Sequence, residues 1–151
     1  MTNSRDLNDL LPAVRLKAEE LLSKAKELGI DLIVTSTYRD KESQDELYAI
    51  GRTKPGKRVT NARGGYSFHN YRVAFDVVPL VAGKASWDDM ALWQRIGILG
   101  EEIGLEWGGN WRGFKDIPHF QLTMGKSLNE LQDEQDDPQL RLKLDYTLGA
   151  L

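Results

Sequence analysis

The chain has no cysteine among its 151 residues. Disulfides, a thiol nucleophile and every cysteine-built zinc site are therefore excluded. Histidine is almost as scarce, with only His69 and His119. Any metal or proton chemistry that needs an imidazole must use these two. No run of about 18 apolar residues occurs, so no helical membrane span is expected. The first eleven residues carry Arg5, Asp6 and Asp9 and lack the apolar stretch of a signal peptide. An excess of one charge is missing too. The balance of 20 basic against 23 acidic residues leaves −3, which is not the charge of a general nucleic-acid or membrane-surface binder.

What is present is one ordinary domain's worth of chain, with 40% hydrophobic and 28% charged residues. Leu10, Val14, Ala18, Leu21, Ala25 and Leu28 repeat at helical spacing and predict a helix over 6–28, with Pro12 marking its true first turn and Gly29 its stop. A strand is expected over 30–35 and a second helix over 41–50, capped by Asp40. Residues 52–66 have no periodicity and contain Pro55, Gly56, Gly64 and Gly65, as a long loop does. A core strand over 73–80 follows. A third helix is expected over 86–103, with Ser86 and Asp89 in a capping-box pattern. Short strands at 105–107 and 118–123 flank a turn-rich Gly108–Gly113 segment. Helices and strands mix without a regular βαβ repeat. The expected class is α+β, with a small antiparallel sheet packed against about three helices. Residues 1–125 read as the catalytic domain and 126–151 as a partly helical tail docked on it.

Two segments carry the chemistry, Ser67–Asp76 and Asp116–Phe120. Asp76 stands between Phe75 and Val77 in the most apolar strand, and a carboxylate there needs a cation or several donors. His69 lies seven residues earlier. On one continuous strand that odd spacing would put the two side chains on opposite faces. If both bind one metal, the chain turns between them at Asn70–Arg72. His119 adds a second imidazole, and two neutral imidazoles with one carboxylate are a familiar catalytic zinc set with a position left for water. A hydrolase also needs a carboxylate beside that water. Asp116, three residues before His119, would have to sit in the loop before the strand and fold back over the metal.

These residues resemble the zinc peptidases that cut peptidoglycan stem peptides. The shared pattern is Ser-x-His, an acid seven residues after the His, and a later acid-x-x-His. Within that group the chain is most similar to L-alanyl-D-glutamate endopeptidases of phage endolysins, through Trp107-Gly108-Gly109-Asn110-Trp111 and Pro118-His119-Phe120-Gln121. The resemblance spans about 36–122 and includes Ser36-Thr37-Tyr38-Arg39. It implies one zinc ion held by His69, Asp76 and His119, with Asp116 as general base and acid. It implies Arg39 at the substrate carbonyl, and Gln44, Ser67, Trp107 and Trp111 along the substrate cleft. Peptidoglycan is the implied partner. The protein is expected to be a monomer made in the bacterial cytoplasm and acting on the wall after release. Arg72 departs from the pattern, which usually has Gly there; if that Gly has a positive φ, Arg72 is strained.

Competing readings remain at this stage. Asp76 as a core acid paired with Arg72 or Arg39 is one. Asp116 as a plain turn residue before Pro118 is another. The same site could cut D-alanyl-D-alanine as a carboxypeptidase or dipeptidase. A module that has lost catalysis, stabilised by zinc and binding wall or phage structural protein, is the alternative from a different class. Arg52, Lys54, Lys57, Arg58 and Arg63 make the long loop basic, suited to anionic wall polymer or to a solvated surface.

Overall fold

The computed structural model describes residues 1–136; the rest of the expected tail, 137–151, lies outside the described residues. The first helix begins later than its periodicity suggests. A 3-10 turn at Leu7–Asp9 comes first, and α1 runs Pro12–Glu27. Pro12 holds Leu11 in extended backbone at ψ 147. The Leu11 amide then donates to Arg72 O at 3.0 Å instead of joining a helix. Gly29, at φ 78, lets the chain turn directly into β1, Asp31–Ser36.

Helix α2 spans Lys41–Ala49, and Asp40 caps it by accepting from the Ser43 amide at 2.8 Å. The loop 52–66 follows. Strand β2 is Ala74–Val81 and β3 is Lys84–Ala85. Helix α3 is Met90–Glu102, β4 is Glu106–Trp107, β5 is His119–Gln121 and α4 is Leu128–Asp136. The strands pair antiparallel in the order β1-β2-β5-β4, with β3 on the far end of β2. The α+β class with an antiparallel sheet is therefore the observed one. The described residues hold four α-helices, α1 to α3 and, within 126–151, α4. Its Leu131 is buried, and its Gln132 donates to Gly65 O at 2.7 Å.

The predicted capping box at Ser86 is not used. Asp89 caps α3 instead, accepting from Leu92 N at 3.1 Å. Ser86 N is already committed to Pro79 O at 2.9 Å, and Trp87 O accepts from Trp93 Nε1 at 3.0 Å. These tertiary hydrogen bonds hold the segment out of helix.

Helices α1 and α3 cover one face of the sheet. Phe75, Trp93, Trp107 and Phe120 are essentially fully buried there, each contributing roughly 1.5–3 kcal/mol of burial free energy. Helix α3 reaches that depth because of Gly97 and Gly100. A Cβ on either would lie 2.2 Å from the Trp107 ring or 2.4 Å from the Phe120 ring. Since side chains alternate along a strand, Asp76, His119 and Gln121 must face the other way.

Candidate metal centre

Register places the centre. Asp76 is paired with His119 across β2 and β5, so both side chains leave the same face. β1 is irregular between Val34 and Ser36, which brings Ser36 opposite Asp76. His69 comes from a 3-10 turn, Phe68–Tyr71, capped by Ser67 and Asn70 in a capping box. Arg72 then reverses the chain into β2 in the left-handed region, φ 63 and ψ 24. This is the turn that the odd His69–Asp76 spacing demands. The strain at Arg72 is offset locally: its guanidinium lies 3.8 Å over the Tyr38 ring and donates to Asp9 O at 2.9 Å. Asp76 therefore pairs with neither Arg72 nor Arg39 as a core acid would. Its carboxylate faces two imidazoles instead.

His69 Nε2 is 3.2 Å and His119 Nδ1 is 3.3 Å from Asp76 Oδ1. The three ligand atoms lie within 4.8 Å of one another, and among the described residues this is the group able to hold a metal. Each imidazole is oriented from behind. His69 Nδ1 faces Thr37 O at 2.8 Å, and a carbonyl can only accept, so Nδ1 carries the proton and Nε2 is bare. His119 Nε2 faces Gln121 Oε1 at 2.7 Å, which leaves Nδ1 toward the centre. That Nδ1 is buried and has no hydrogen-bond partner. An orphaned buried nitrogen beside a carboxylate and a second bare nitrogen is the arrangement a divalent cation resolves. The N, N, O donor set suits zinc. Without a cation, electrostatics show the same tension. Burial alone would raise the Asp76 carboxyl, but His69 and His119 hold it well below the usual carboxylate range. Burial pushes His119 down, but Asp76 overcomes this and holds it above its ordinary value.

Asp116 lies in the loop before β5, its Oδ2 3.7 Å from His119 Nδ1. Gly108 makes this possible. Asp116 N donates to Gly108 O at 3.0 Å, and a Cβ on Gly108 would sit 2.3 Å from Asp116 O. Burial pushes the Asp116 carboxyl above its usual range; attraction to His119 opposes this and repulsion from Asp76 adds to it. Arg39 borders the same cleft, of about 540 Å³. Its Nη1 donates to Gln44 Oε1 at 2.8 Å and its Nη2 to Ser36 Oγ at 3.0 Å, while Nε is buried without a partner.

The other expected cleft residues divide. Ser67 and Trp111 line the cleft, the Trp111 ring 5.1 Å from that of His119. Gln44 and Trp107 do not. Gln44 is 1% exposed and tethers the basic loop to Arg39, its Nε2 donating to Ala62 O at 2.7 Å. Trp107 is 1% exposed and donates from Nε1 to Ile117 O at 2.7 Å, bracing the loop that carries Asp116. Both shape the site from behind it.

Sequence reasoning passed over Glu106, noted Thr37 and Gln121 only as parts of motifs, and noted Asn70 only as part of a turn. Asn70 donates to Arg39 O at 2.8 Å and accepts from Gly65 N at 3.0 Å, joining three segments of the site. The signal for Gln121 was available: it stands two residues from His119 on one strand and so shares its face.

Known proteins resemble this chain in sequence and in fold. Residues 60–122 match the family profile described as D-alanyl-D-alanine carboxypeptidase. The peptidoglycan L-alanyl-D-glutamate endopeptidase CwlK of Bacillus subtilis strain 168 is 40% identical over 124 residues, covering 76% of this chain and 74% of CwlK. The L-alanyl-D-glutamate peptidase of Listeria phage A118 is 24% identical over 78% of this chain, which spans 40% of that protein. Among solved structures, the L-Ala D-Glu endopeptidase ChiX of Serratia marcescens superposes with TM-score 0.53 at 26% identity, over 78% of this chain and 84% of ChiX.

Proposed function

The chain belongs to the D-alanyl-D-alanine carboxypeptidase family of zinc peptidases, and from that premise we propose that it hydrolyses the L-alanyl-D-glutamate bond of peptidoglycan stem peptides at a zinc ion held by His69, Asp76 and His119. The observation that carries the site is the convergence of His69 Nε2, Asp76 Oδ1 and His119 Nδ1 within 4.8 Å, beside a partly buried Asp116. The choice of bond is supported by the 40% identity to CwlK across three quarters of both chains.

A bound zinc ion supplies Lewis acidity and lowers the pKa of water toward about 7. The protein's own groups do the rest. Asp116, 3.7 Å from His119, takes a proton from the attacking water. It then delivers that proton to the departing D-glutamate amine. A carboxyl raised by burial suits both halves of that cycle. Arg39 is held at two nitrogens by Gln44 and Ser36. Its fixed guanidinium faces the carbonyl oxygen as negative charge develops. Ser67 and Trp111 border the path of the peptide.

Mass spectrometry of digested peptidoglycan tests the choice of bond. New peptides starting with N-terminal D-glutamate are expected. Released D-alanine in their place would move the cut to the D-alanyl-D-alanine bond.

A further inference from the structure

Behind His119 a polar chain runs out to the protein surface. His119 and Gln121 alternate onto one face of β5, and Gln121 is paired with Glu106 across β4. Gln121 Nε2 donates to Glu106 Oε2 at 3.0 Å. The same carboxylate oxygen accepts from Trp111 Nε1 at 2.8 Å. A carboxylate can only accept, so Glu106 dictates which way the Gln121 amide points. The NH₂ must face Glu106 and the carbonyl oxygen must face His119. The His119 Nε2 must then carry the proton, and Nδ1 is left bare toward Asp76. Among the described residues the Gln121 amide has no hydrogen-bond partner other than His119 and Glu106, so without Glu106 it is free to turn over. Its NH₂ would then face Nε2, favour the opposite tautomer and put a proton on the nitrogen the metal needs.

We infer that Glu106, an exposed residue on β4, is a positioning residue that fixes the tautomer of His119 through Gln121 and, with the same oxygen, seats the cleft-wall ring of Trp111. One carboxylate thereby couples the metal ligand to the wall of the substrate cleft. Glu106 itself touches neither the metal ligand atoms nor the cleft. This inference rests on the peptidase reading for its consequence, but the tautomer it specifies is a property of the protein without metal.

The chain has only two histidines, so their imidazole nitrogen resonances form a small, assignable set. In the metal-free protein at alkaline pH, ¹H–¹⁵N spectra should show opposite tautomers: Nδ1–H for His69 and Nε2–H for His119. Glu106→Ala should mix the His119 tautomers and leave His69, held by Thr37 O, unchanged. Zinc affinity, read by chelator competition, should fall about tenfold. Glu106→Gln keeps an acceptor oxygen and should recover most of both. His69 serves as the internal control, since loss of fold would disturb both rings. A Glu106→Ala protein with His119 still wholly Nε2–H and zinc affinity unchanged would overturn the inference while leaving the peptidase reading intact. Failure of the native protein to bind zinc would count against the peptidase reading instead.

Discussion

Strands β2 and β5 present two faces built on different rules. Toward α1 and α3 stand Phe75, Val77 and Phe120, whose requirement is volume. Toward the cleft stand Asp76, His119 and Gln121, whose requirement is that every polar atom have a partner of the right kind. The apolar face is stabilised by area and dispersion, which are non-directional. The polar face depends on which nitrogen is bare and which oxygen accepts. One face determines whether the domain folds, and the other determines what it can do once folded. Neighbouring residues on one strand should therefore fail in different ways.

The sharpest break comes on the polar face. Asp116→Ala should retain zinc and melt close to the native protein, while turnover on peptidoglycan falls about a hundred- to ten-thousand-fold. His119→Ala should lose both zinc and turnover. Metal analysis, thermal melts and a wall-digestion assay on the two variants check this, and near-normal turnover in Asp116→Ala would remove it as the base. On the apolar face the order reverses. Gly100→Ala would push a Cβ to 2.4 Å from the Phe120 ring, and overpacking of this kind costs about 1–3 kcal/mol. Urea unfolding should show that loss, with the folded fraction still active.

A subtler difference is in pH dependence. In the metal-free protein Asp76 lies below its unfolded value, so its contribution is present above about pH 4 and is lost as pH falls through its folded value. His119 lies above its unfolded value. Its contribution is present below about pH 6.5 and is lost as pH rises through the folded value. A zinc ion bound there would take the place of that proton. The rise in Tm on adding zinc should therefore be larger near pH 8.5 than near pH 6, by calorimetry at both. An equal rise at both would mean that His119 is already unprotonated at pH 6, which contradicts a raised value. The smallest effect is expected at Arg72. Arg72→Gly relieves about 1 kcal/mol of left-handed strain but gives up the stacking on Tyr38 and the bond to Asp9 O. The two should nearly cancel, within about 1 kcal/mol. Arg72→Ala keeps the strain, loses the contacts and should be the less stable of the two in urea titrations.

Much of this arrangement was legible before folding, for identifiable reasons. Asp40 caps α2 because its side chain reaches an amide three residues on, a purely local matter. The odd His69–Asp76 spacing required a turn, and Arg72 supplies it at φ 63. Where reading from sequence slipped, a partner outside the element had intervened. Leu11 leaves the first helix for Arg72 O, 61 positions away along the chain. Ser86 leaves its capping box for Pro79 O. Gln44, expected in the cleft, is drawn behind it by Arg39 and Ala62 O. Trp107 is drawn under the site by Ile117 O. Periodicity and motif spacing describe one element at a time, and each of these partners lies outside the element concerned.

The sequence by itself determined which groups could do chemistry here. With no cysteine and two histidines, a metal site built on imidazole could use only His69 and His119, and Asp76 was the acid set among apolar residues of the core strand. Tertiary structure alone decided which nitrogen of each imidazole faces the centre. That choice depends on a proton whose place is set by the acceptor behind the ring. Thr37 O stands behind His69, and Gln121, oriented by Glu106, stands behind His119. Thr37 lies 32 positions from His69 and Glu106 lies 15 from Gln121. Strand pairing and chain reversal brought them within hydrogen-bond distance, and residue spacing along the chain carries no record of that.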